Sequence, residues 1–306
     1  MKESPFFKQA DLLVQIMPFV NAEACFALKG GTAINFFVRD FPRLSVDIDL
    51  VYLPVEDRPT TLQGIDAALQ RIAAKIRRAM PGMQVREQKL AKENLIIKLT
   101  VRAAGGAEVK IEPNTVLRGS LHPTADLNLT PKAVTMFGRS ATMRVVSLPD
   151  LYGGKLCAAL DRQHPRDLFD VHGLFQNEGI TDDIRRAFVI FLASHDRPMS
   201  ELLTPNRKDL KKVFADQFEG MALDPVPLAV LEETRERLIT QINADLTSAE
   251  REFLLSLKRL EPKWELLGLP GLERLPGPQW KLYNLRKMDS AKRKTAEELL
   301  RRKLGL

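Results

Sequence analysis

The sequence has 306 residues and a formal net charge of +7, with 44% hydrophobic and 28% charged residues, the composition of an ordinary soluble globular protein. No run approaches the roughly 18 apolar residues of a membrane span, and the first residues lack the features of a secretory signal. We therefore expect a cytoplasmic protein with no membrane partner. Cys25 and Cys157 both lie in apolar stretches, as expected for buried thiols in a reducing compartment.

Hydrophobic periodicity predicts helices and strands in the first half of the chain. The predicted helices are 5–20, 33–39 and 60–80. The predicted strands are 23–28, 45–53, 83–88, 95–101 and 108–111. Gly105-Gly106 lies between the last two of these strands and predicts a hairpin. Two further short strands are predicted within residues 130–147, around Gly138.

The pattern becomes almost wholly helical after Pro149. Residues 150–258 have helical periodicity that is interrupted by prolines and a glycine. A stretch rich in Gly and Pro at 266–278 predicts a linker, and a last helix is predicted at 287–303. The sequence thus predicts an α/β fold, with a small mixed sheet flanked by helices, followed by a helical domain. The predicted domain ranges are 1–148 and 149–306.

Basic residues are concentrated at the end of the chain. Residues 279–306, here called the basic segment, contain nine Lys and Arg but only three Asp and Glu. Trp280 and Tyr283 lie among these charges. A basic segment with aromatic residues can follow a phosphate backbone, although similar charge runs also occur on solvated helices that bind nothing.

The predicted strand at 45–53 carries a pair of acidic residues. Side chains on a strand alternate between two faces, so Ser45, Asp47 and Asp49 share one face while the apolar residues between them face the core. Two carboxylates on one face repel each other unless a cation neutralises them. Mg²⁺ is typically held by one or two carboxylates together with phosphate oxygens. The pair therefore predicts a site for Mg²⁺ or Mn²⁺, although exposed strands also carry alternating acids without binding metal.

A glycine turn precedes this strand. Gly30, Gly31 and Thr32 follow an apolar strand and open a predicted helix. Such a turn presents backbone N–H groups and the positive end of the helix dipole to an anion, and glycine allows close approach of the ligand. Fifteen residues separate Gly31 from Asp47. This length is enough for one helix and for the chain to come back beside the glycines. We expect a phosphate site beside the metal site; the alternative is a plain strand–helix turn.

A further set of charged residues follows Pro149. Lys155 and Arg162 lie on one stripe of a predicted helix, and Asp167 and Asp170 share a face of the next one. Gly153-Gly154 precede the lysine, and each costs roughly 1 kcal/mol relative to Ala inside a helix, which favours a turn there. Taken alone, this set is also consistent with surface salt bridges between neighbouring helices.

These motifs together resemble a known family. Gly30-Gly31-Thr32, followed by Arg43-x-Ser45-x-Asp47-Ile48-Asp49-Leu50, is similar to the first motif of the polymerase-β-like nucleotidyltransferases. It looks specifically like the AbiEii/AbiGii (MenT-like) toxin family of bacterial toxin–antitoxin systems. The residues from Lys155 to Asp170 resemble the K-x-x-A-x-x-x-R and R-D-x-x-D signatures of the same family. The resemblance covers roughly residues 25–175.

The resemblance implies both an activity and residue roles. The family's fold is the polymerase-β-like nucleotidyltransferase fold, and its toxins transfer a nucleoside monophosphate from an NTP to the 3′ end of tRNA, which blocks translation. The implied partners are tRNA or another RNA acceptor and a cognate antitoxin. Lys155 would contact the NTP phosphates with support from Asp167, whose role Asp170 could exchange. Arg43 would stabilise developing charge, and Glu112, on the predicted strand at 108–111 and its continuation, is the best third carboxylate.

Two other interpretations stay open at the level of sequence. The same enzyme chemistry could act on a protein hydroxyl or on a small molecule. Alternatively, a degenerate nucleotidyltransferase fold could serve as a binding module without catalysis, although the presence of Asp47, Asp49 and Lys155 argues against it. The four histidines show no metal-ligand spacing, and no Walker-type phosphate loop occurs.

Overall fold

The computed structural model describes residues 5–306. The chain forms two compact units: Met1–Ser147 with Glu219–Pro225, and Leu148–Phe218 with Val226–Leu306. The short segment 219–225 thus belongs to the first unit, where its Ala222 forms a β-bridge with Arg43. The predicted domain division at residue 148 stays a prediction, because compactness alone does not show that either part folds by itself.

The first unit is built on a seven-stranded mixed sheet with the strand order β3-β4-β5-β2-β1-β7-β6. Its strands are β1 (Phe26–Lys29), β2 (Asp47–Tyr52), β3 (Gln84–Lys89), β4 (Ile96–Arg102), β5 (Glu108–Asn114), β6 (Ala125–Asn128) and β7 (Thr142–Val145). β2 pairs with β5 and β1 with β7 in parallel, and the other pairs are antiparallel. The hairpin predicted at Gly105-Gly106 is confirmed as the β4–β5 connection.

The helical segments of the first unit are α1 (Pro5–Asn21), α2 (Gly30–Ala33), a π-helical turn (Ile34–Val38), α3 (Arg58–Ala79) and α4 (Pro131–Phe137). Of these, α1 and α3 pack against the sheet and against each other. Long α3 packs on the apolar face, where Tyr52 of β2 contacts Gly64. Apolar side chains of the central strands, such as Ile48, Leu50 and Ile111, are fully buried on that face. The opposite face carries the polar residues of β2, β3, β4 and β5. The alternating pattern that predicted the strands therefore places core residues on one face of the sheet and the predicted site residues on the other. The predicted α/β fold is confirmed.

The predicted strand before Gly138 is wrong. Residues 131–137 form α4, which begins with Pro131 in its first turn and ends at Gly138 with a φ of 64°. Proline is well suited to the first turn of a helix, and glycine to a left-handed C-cap. The neighbouring strand pair is β6 with β7, which flanks α4 instead of crossing Gly138.

The second unit is helical, as predicted. Its helices are α5 (Leu148–Arg162), α6 (Pro165–Gln176), α7 (Asp182–Ser194), α8 (Met199–Leu203), α9 (Lys211–Gln217), α10 (Leu228–Asp245), α11 (Ser248–Lys258), α12 (Pro276–Lys287) and α13 (Ser290–Leu304). In the part of the chain that the structure describes, no helix combines the length and the apolar character needed to cross a bilayer.

The turn expected at Gly153-Gly154 is also wrong, because α5 runs through both glycines. A side chain at Gly153 would come within 2.8 Å of the Ala187 backbone in α7. The glycine therefore allows α5 and α7 to pack closely, and this packing outweighs its poor helix propensity.

The basic segment is folded into the second unit. Two short 3-10 turns, Trp264–Leu267 and Leu272–Arg274, lie at the start and in the middle of the predicted linker, and α12 begins at Pro276 before the linker was expected to end. The predicted last helix is confirmed as α13, which Asp289 caps at its start. The helix before it, α12, begins inside the predicted linker and is not predicted by the sequence pattern. Four leucines of these helices are buried: Leu282, Leu285, Leu300 and Leu304.

Lys281 fixes α12 to the end of α7. Its ammonium donates hydrogen bonds to the carbonyl oxygens of His195 (2.5 Å) and Arg197 (2.9 Å). Burial, with a smaller contribution from Lys258, lowers the pKa of Lys281 to about 8. Between pH 8 and about 10.5 the unfolded chain therefore binds more protons at this residue, so its contribution to stability increases with pH.

We expect this titration to appear in the pH dependence of unfolding. The free energy of unfolding of the wild type, relative to that of Lys281→Met, should increase as the pH rises from 8 to 10, in urea unfolding followed by circular dichroism. Comparison with the variant removes the contribution of the other groups that titrate in this range. One of them is Cys25, because burial raises the pKa of its thiol to about 11. Parallel curves for the two proteins would contradict the assignment.

Candidate functional site

The two predicted aspartates lie at the start of β2, in the middle of the sheet. Both side chains are half-buried on the polar face of the sheet, here called the carboxylate face. The parallel register with β5 places Asp47 beside Lys110 and Asp49 beside Glu112. The predicted sharing of a strand face is therefore confirmed, and Glu112 lies on that face in the next strand.

Gly30 lies directly against Asp49, and Gly31 lies against Arg43 and Ser45. Gly30 has a φ of +72°, and a Cβ added there would come within 2.5 Å of Asp49 Oδ2. A Cβ at Gly31 would come within 2.7 Å of Arg43 Nη2 and 3.2 Å of Ser45 Oγ. The predicted turn is in fact the first turn of α2, which begins at Gly30. Only residues without a Cβ allow the start of this helix to approach the carboxylate so closely.

Hydrogen bonds fix the glycine segment to β2. The Thr32 hydroxyl lies 2.9 Å from Ser45 Oγ and 2.5 Å from the backbone oxygen of Asp47. The Asn35 amide donates to the Gly31 carbonyl at 2.8 Å. Thr32 and Asn35 are buried, so these bonds hold the helix start in one position relative to the acids.

Arg43 is the largest fully buried side chain next to the glycines, at 2% exposed. Its guanidinium donates to the Leu44 carbonyl at 2.8 Å and lies against Gly31. A buried guanidinium provides a fixed positive charge with several N–H donors. The structure thus brings Arg43, Ser45, Thr32 and both glycines together with the aspartates; their roles stay predictions.

Glu112 forms an ion pair with Lys98 of β4, and both side chains are partly exposed. The sequence pattern assigned Glu112 to this face but did not identify Lys98. The predicted hairpin at Gly105-Gly106 could have identified Lys98. Its strand register places Arg102 opposite Glu108, and the same register places Lys98 opposite Glu112. The role of Glu112 as a third carboxylate stays a prediction.

The donors on the carboxylate face suit a hard divalent cation. Asp47 and Asp49 supply carboxylate oxygens, which Mg²⁺ prefers. Within residues 5–306, no group of three or more His, Cys, Asp or Glu is arranged to hold a metal. Two carboxylates, completed by water and substrate oxygens, are a usual ligand set for Mg²⁺ bound with a nucleotide, and the assignment of Asp47 and Asp49 to it stays a prediction.

Lys155 lies inside the second unit, between two aspartates of α6. Its ammonium is 2.7 Å from Asp167 Oδ1 and 2.9 Å from Asp170 Oδ2. All three side chains are at most 6% exposed. Arg162, which is largely exposed, adds a second cation 2.8 Å from Asp167. The sequence alternatives Asp167 and Asp170 are therefore not exclusive, because both hold Lys155.

Comparison with known proteins identifies the family. A sequence model of the family described as "Nucleotidyl transferase AbiEii toxin, Type IV TA system" matches residues 11–270. The chain belongs to this AbiEii toxin family. The protein is accordingly a nucleotidyltransferase toxin of a type IV toxin–antitoxin system, and the family implies a cognate antitoxin.

The fold agrees with this assignment. The structure is similar to that of MenT4, a nucleotidyltransferase toxin from Mycobacterium tuberculosis, with a TM-score of 0.58 and 16% sequence identity. The match covers 97% of this chain and 94% of that chain. No curated protein is significantly similar to the chain in sequence. The family resemblance stated from the motifs is confirmed.

The close approach at Gly31 gives a testable consequence for this AbiEii-family enzyme. We expect Gly31→Ala to displace the buried Arg43 guanidinium, since the new Cβ would lie 2.7 Å from it. A displacement near 1 Å at a catalytic site can lower the rate on the order of 10²-fold, measured as kcat/KM for nucleotidyl transfer. The matched control is Gly173→Ala, in a helix with open space around the glycine; it should keep its activity. Equal activities in the two variants would contradict the assignment.

Proposed function

We propose that this AbiEii-family enzyme transfers a nucleoside monophosphate from an NTP to the 3′ end of tRNA, with release of pyrophosphate, and thereby stops translation. The observation that carries the proposal is that Asp47 and Asp49 share one strand face, with Asp49 directly against Gly30 at the start of α2. Metal-binding oxygens and a phosphate-binding backbone thus occur side by side, as nucleotidyl transfer requires.

Each residue of this group has a proposed task. Asp47 and Asp49 would hold Mg²⁺ or Mn²⁺. Such an ion, when bound, neutralises charge on the phosphate oxygens. The backbone at Gly30 and Gly31 would receive the triphosphate, because no Cβ blocks its approach. Arg43 would stabilise the negative charge that develops during transfer, since its guanidinium is already desolvated and held in place.

Thr32 and Ser45 have positioning roles in this proposal. Their hydroxyls bond to each other, and Thr32 also bonds to the backbone of Asp47. The glycine segment and the metal-binding strand therefore keep a fixed relation before the substrate arrives, which reduces the reorganisation needed in the transition state. Glu112 would take the proton from the acceptor hydroxyl as a general base.

Lys155 would bind the triphosphate, as the family resemblance implies. In the second unit its ammonium is held by Asp167 and Asp170, and Arg162 balances the second negative charge. Two carboxylates on one lysine restrict its rotamers, so the charge is presented from a single position. Asp167 and Asp170 thus act through Lys155 as positioning residues.

The basic segment supports a nucleic-acid acceptor. Trp280 and Tyr283 stack on each other at 5.4 Å, and the Lys287 ammonium lies 4.1 Å from the Tyr283 ring. Both aromatic side chains are exposed, and unpaired bases stack on such rings. Since α12 and α13 bury leucines, the contribution of this segment is best measured with substitutions at exposed residues and not by truncation.

The proposal is tested by following the fate of each phosphate. Purified enzyme is incubated with Mg²⁺, bulk tRNA and one NTP at a time, labelled either at the α-phosphate or at the γ-phosphate. The proposal expects tRNA labelled only from the α-phosphate, at its 3′ end, with the γ-label in pyrophosphate. Absence of tRNA labelling, or labelling of a protein or small molecule instead, would contradict the proposed acceptor.

A further inference from the structure

The carboxylate face continues beyond the acids across three more strands. In register, Asp47 lies beside Lys110 of β5, Lys110 beside Thr100 of β4, and Thr100 beside Arg86 of β3. These four residues form one cross-strand row, here called the Asp47 row. Since neighbouring strands are about 4.8 Å apart, the row extends about 14 Å from the strand that holds the aspartates.

The cations of the Asp47 row are available to a ligand. Lys110 and Arg86 are both exposed, and within the described residues neither forms an ion pair. They differ in this respect from Lys98, which pairs with Glu112, and from Arg102, which lies opposite Glu108 in the register. Two exposed cations that form no ion pair among residues 5–306 therefore share one row, and that row ends at Asp47, one of the predicted metal ligands.

The Asp47 row extends from β2 on the side away from the glycines. β1, which leads into Gly30, pairs with one edge of β2, and β5 pairs with the other. In an in-line displacement the attacking and leaving oxygens lie on opposite sides of the transferred phosphorus. If the triphosphate lies at the glycines, the acceptor approaches from the β5 side, which is where the Asp47 row begins.

We propose that the Asp47 row binds the phosphodiester backbone of the acceptor RNA next to its reacting end. This inference rests on the proposed function and adds to it a surface separate from the basic segment. At about 3.4 Å per stacked nucleotide, a row of about 14 Å covers roughly the last four nucleotides. Lys110 and Arg86 make point-charge and bidentate contacts to phosphate, respectively, while Thr100 donates a hydroxyl between them.

Binding of deacylated bulk tRNA to the full-length protein tests this inference. Affinity is measured by filter binding between 50 and 200 mM salt, without NTP, for the Lys110→Gln/Arg86→Gln variant. Loss of two phosphate contacts should weaken binding at least 10-fold at low salt, and should reduce the slope of log K against log salt by about 1.5.

The matched control is Lys8→Gln/Arg78→Gln. It removes one lysine and one arginine that are also exposed, from α1 and α3, the helices of the first unit that pack against each other. This control should bind like the wild type. A second probe, tRNA shortened by its last four nucleotides, should bind the wild type and the Asp47-row variant equally well.

Two results would overturn the inference: equal affinity and salt dependence of the two double variants, or a difference that persists with the shortened tRNA. If the Asp47 row binds an acidic protein instead of RNA, the two double variants will show equal affinity and salt dependence for tRNA. Failure of the proposed function is distinguishable, because the wild type would then not label tRNA at all. If the wild type labels tRNA while both double variants bind it alike, only the role of the row is wrong.

Discussion

Replacing Asp49 by Asn should abolish most of the nucleotidyl transfer while leaving the protein folded. The amide keeps the shape of the carboxylate, so its packing against Gly30 is preserved. It removes the charge that holds the metal, and a catalytic metal contributes several kcal/mol to the stabilisation of the transition state. Since about 1.4 kcal/mol corresponds to a tenfold change in rate, we expect kcat/KM to fall on the order of 10³-fold in the labelled-NTP assay.

The control for this experiment is Asp126→Asn. Asp126 belongs to the same sheet, but on the edge strand β6, where its side chain is 60% exposed and near Arg144. It should retain wild-type activity. Both variants should melt within a few degrees of the wild type. Retention of full activity by Asp49→Asn would mean that this carboxylate is not part of the catalytic site.

Among the substitutions considered, Lys155→Met should lower the free energy of unfolding most. The substitution removes the cation that Asp167 and Asp170 share, and both carboxylates are buried. Removing one partner of a buried ion pair destabilises a protein by about 3–5 kcal/mol. We expect a loss of this size in the free energy of unfolding, measured by urea denaturation.

A second variant separates the structural and catalytic roles of Lys155. Lys155→Met/Asp170→Asn also removes the negative charge at the fully buried partner, while Asp167 keeps its bond to Arg162. It should recover a large part of the lost stability. It should not recover activity if Lys155 also contacts the NTP phosphates. A Lys155→Met variant as stable as the wild type would contradict the energetic role, and recovery of activity in the double variant would contradict the phosphate contact.

The sequence predicted the parts of the site that depend on strand alternation. Asp47 and Asp49 share a face because the side-chain period of a strand is two, and this conclusion needs no knowledge of neighbouring strands. For the proximity of Gly30 to Asp49, the sequence shows only that the connecting segment is long enough for one helix and a return to the same place. It depends on the antiparallel register of β1 and β2, in which Lys29 lies opposite Asp49.

Other features could not be predicted from hydrophobic periodicity. The segment 131–137 carries apolar residues at a spacing that fits a short strand or a short helix, and Pro131 and Gly138 decide for the helix. Gly153 disfavours a helix locally, but close packing of α5 on α7 requires it there. In both cases capping or tertiary packing outweighs the periodicity on which the prediction was based.

In the proposed mechanism, Asp47 and Asp49 hold a divalent ion together with the triphosphate at Gly30. Mn²⁺ binding measured by electron paramagnetic resonance, with an NTP analogue whose α–β bridge is a methylene group, tests it without turnover. We expect Mn²⁺ binding that depends on the analogue in the wild type and in Asp126→Asn, and loss of this binding in Asp47→Asn/Asp49→Asn. Undiminished Mn²⁺ binding in that double variant would mean that these two carboxylates do not hold the metal.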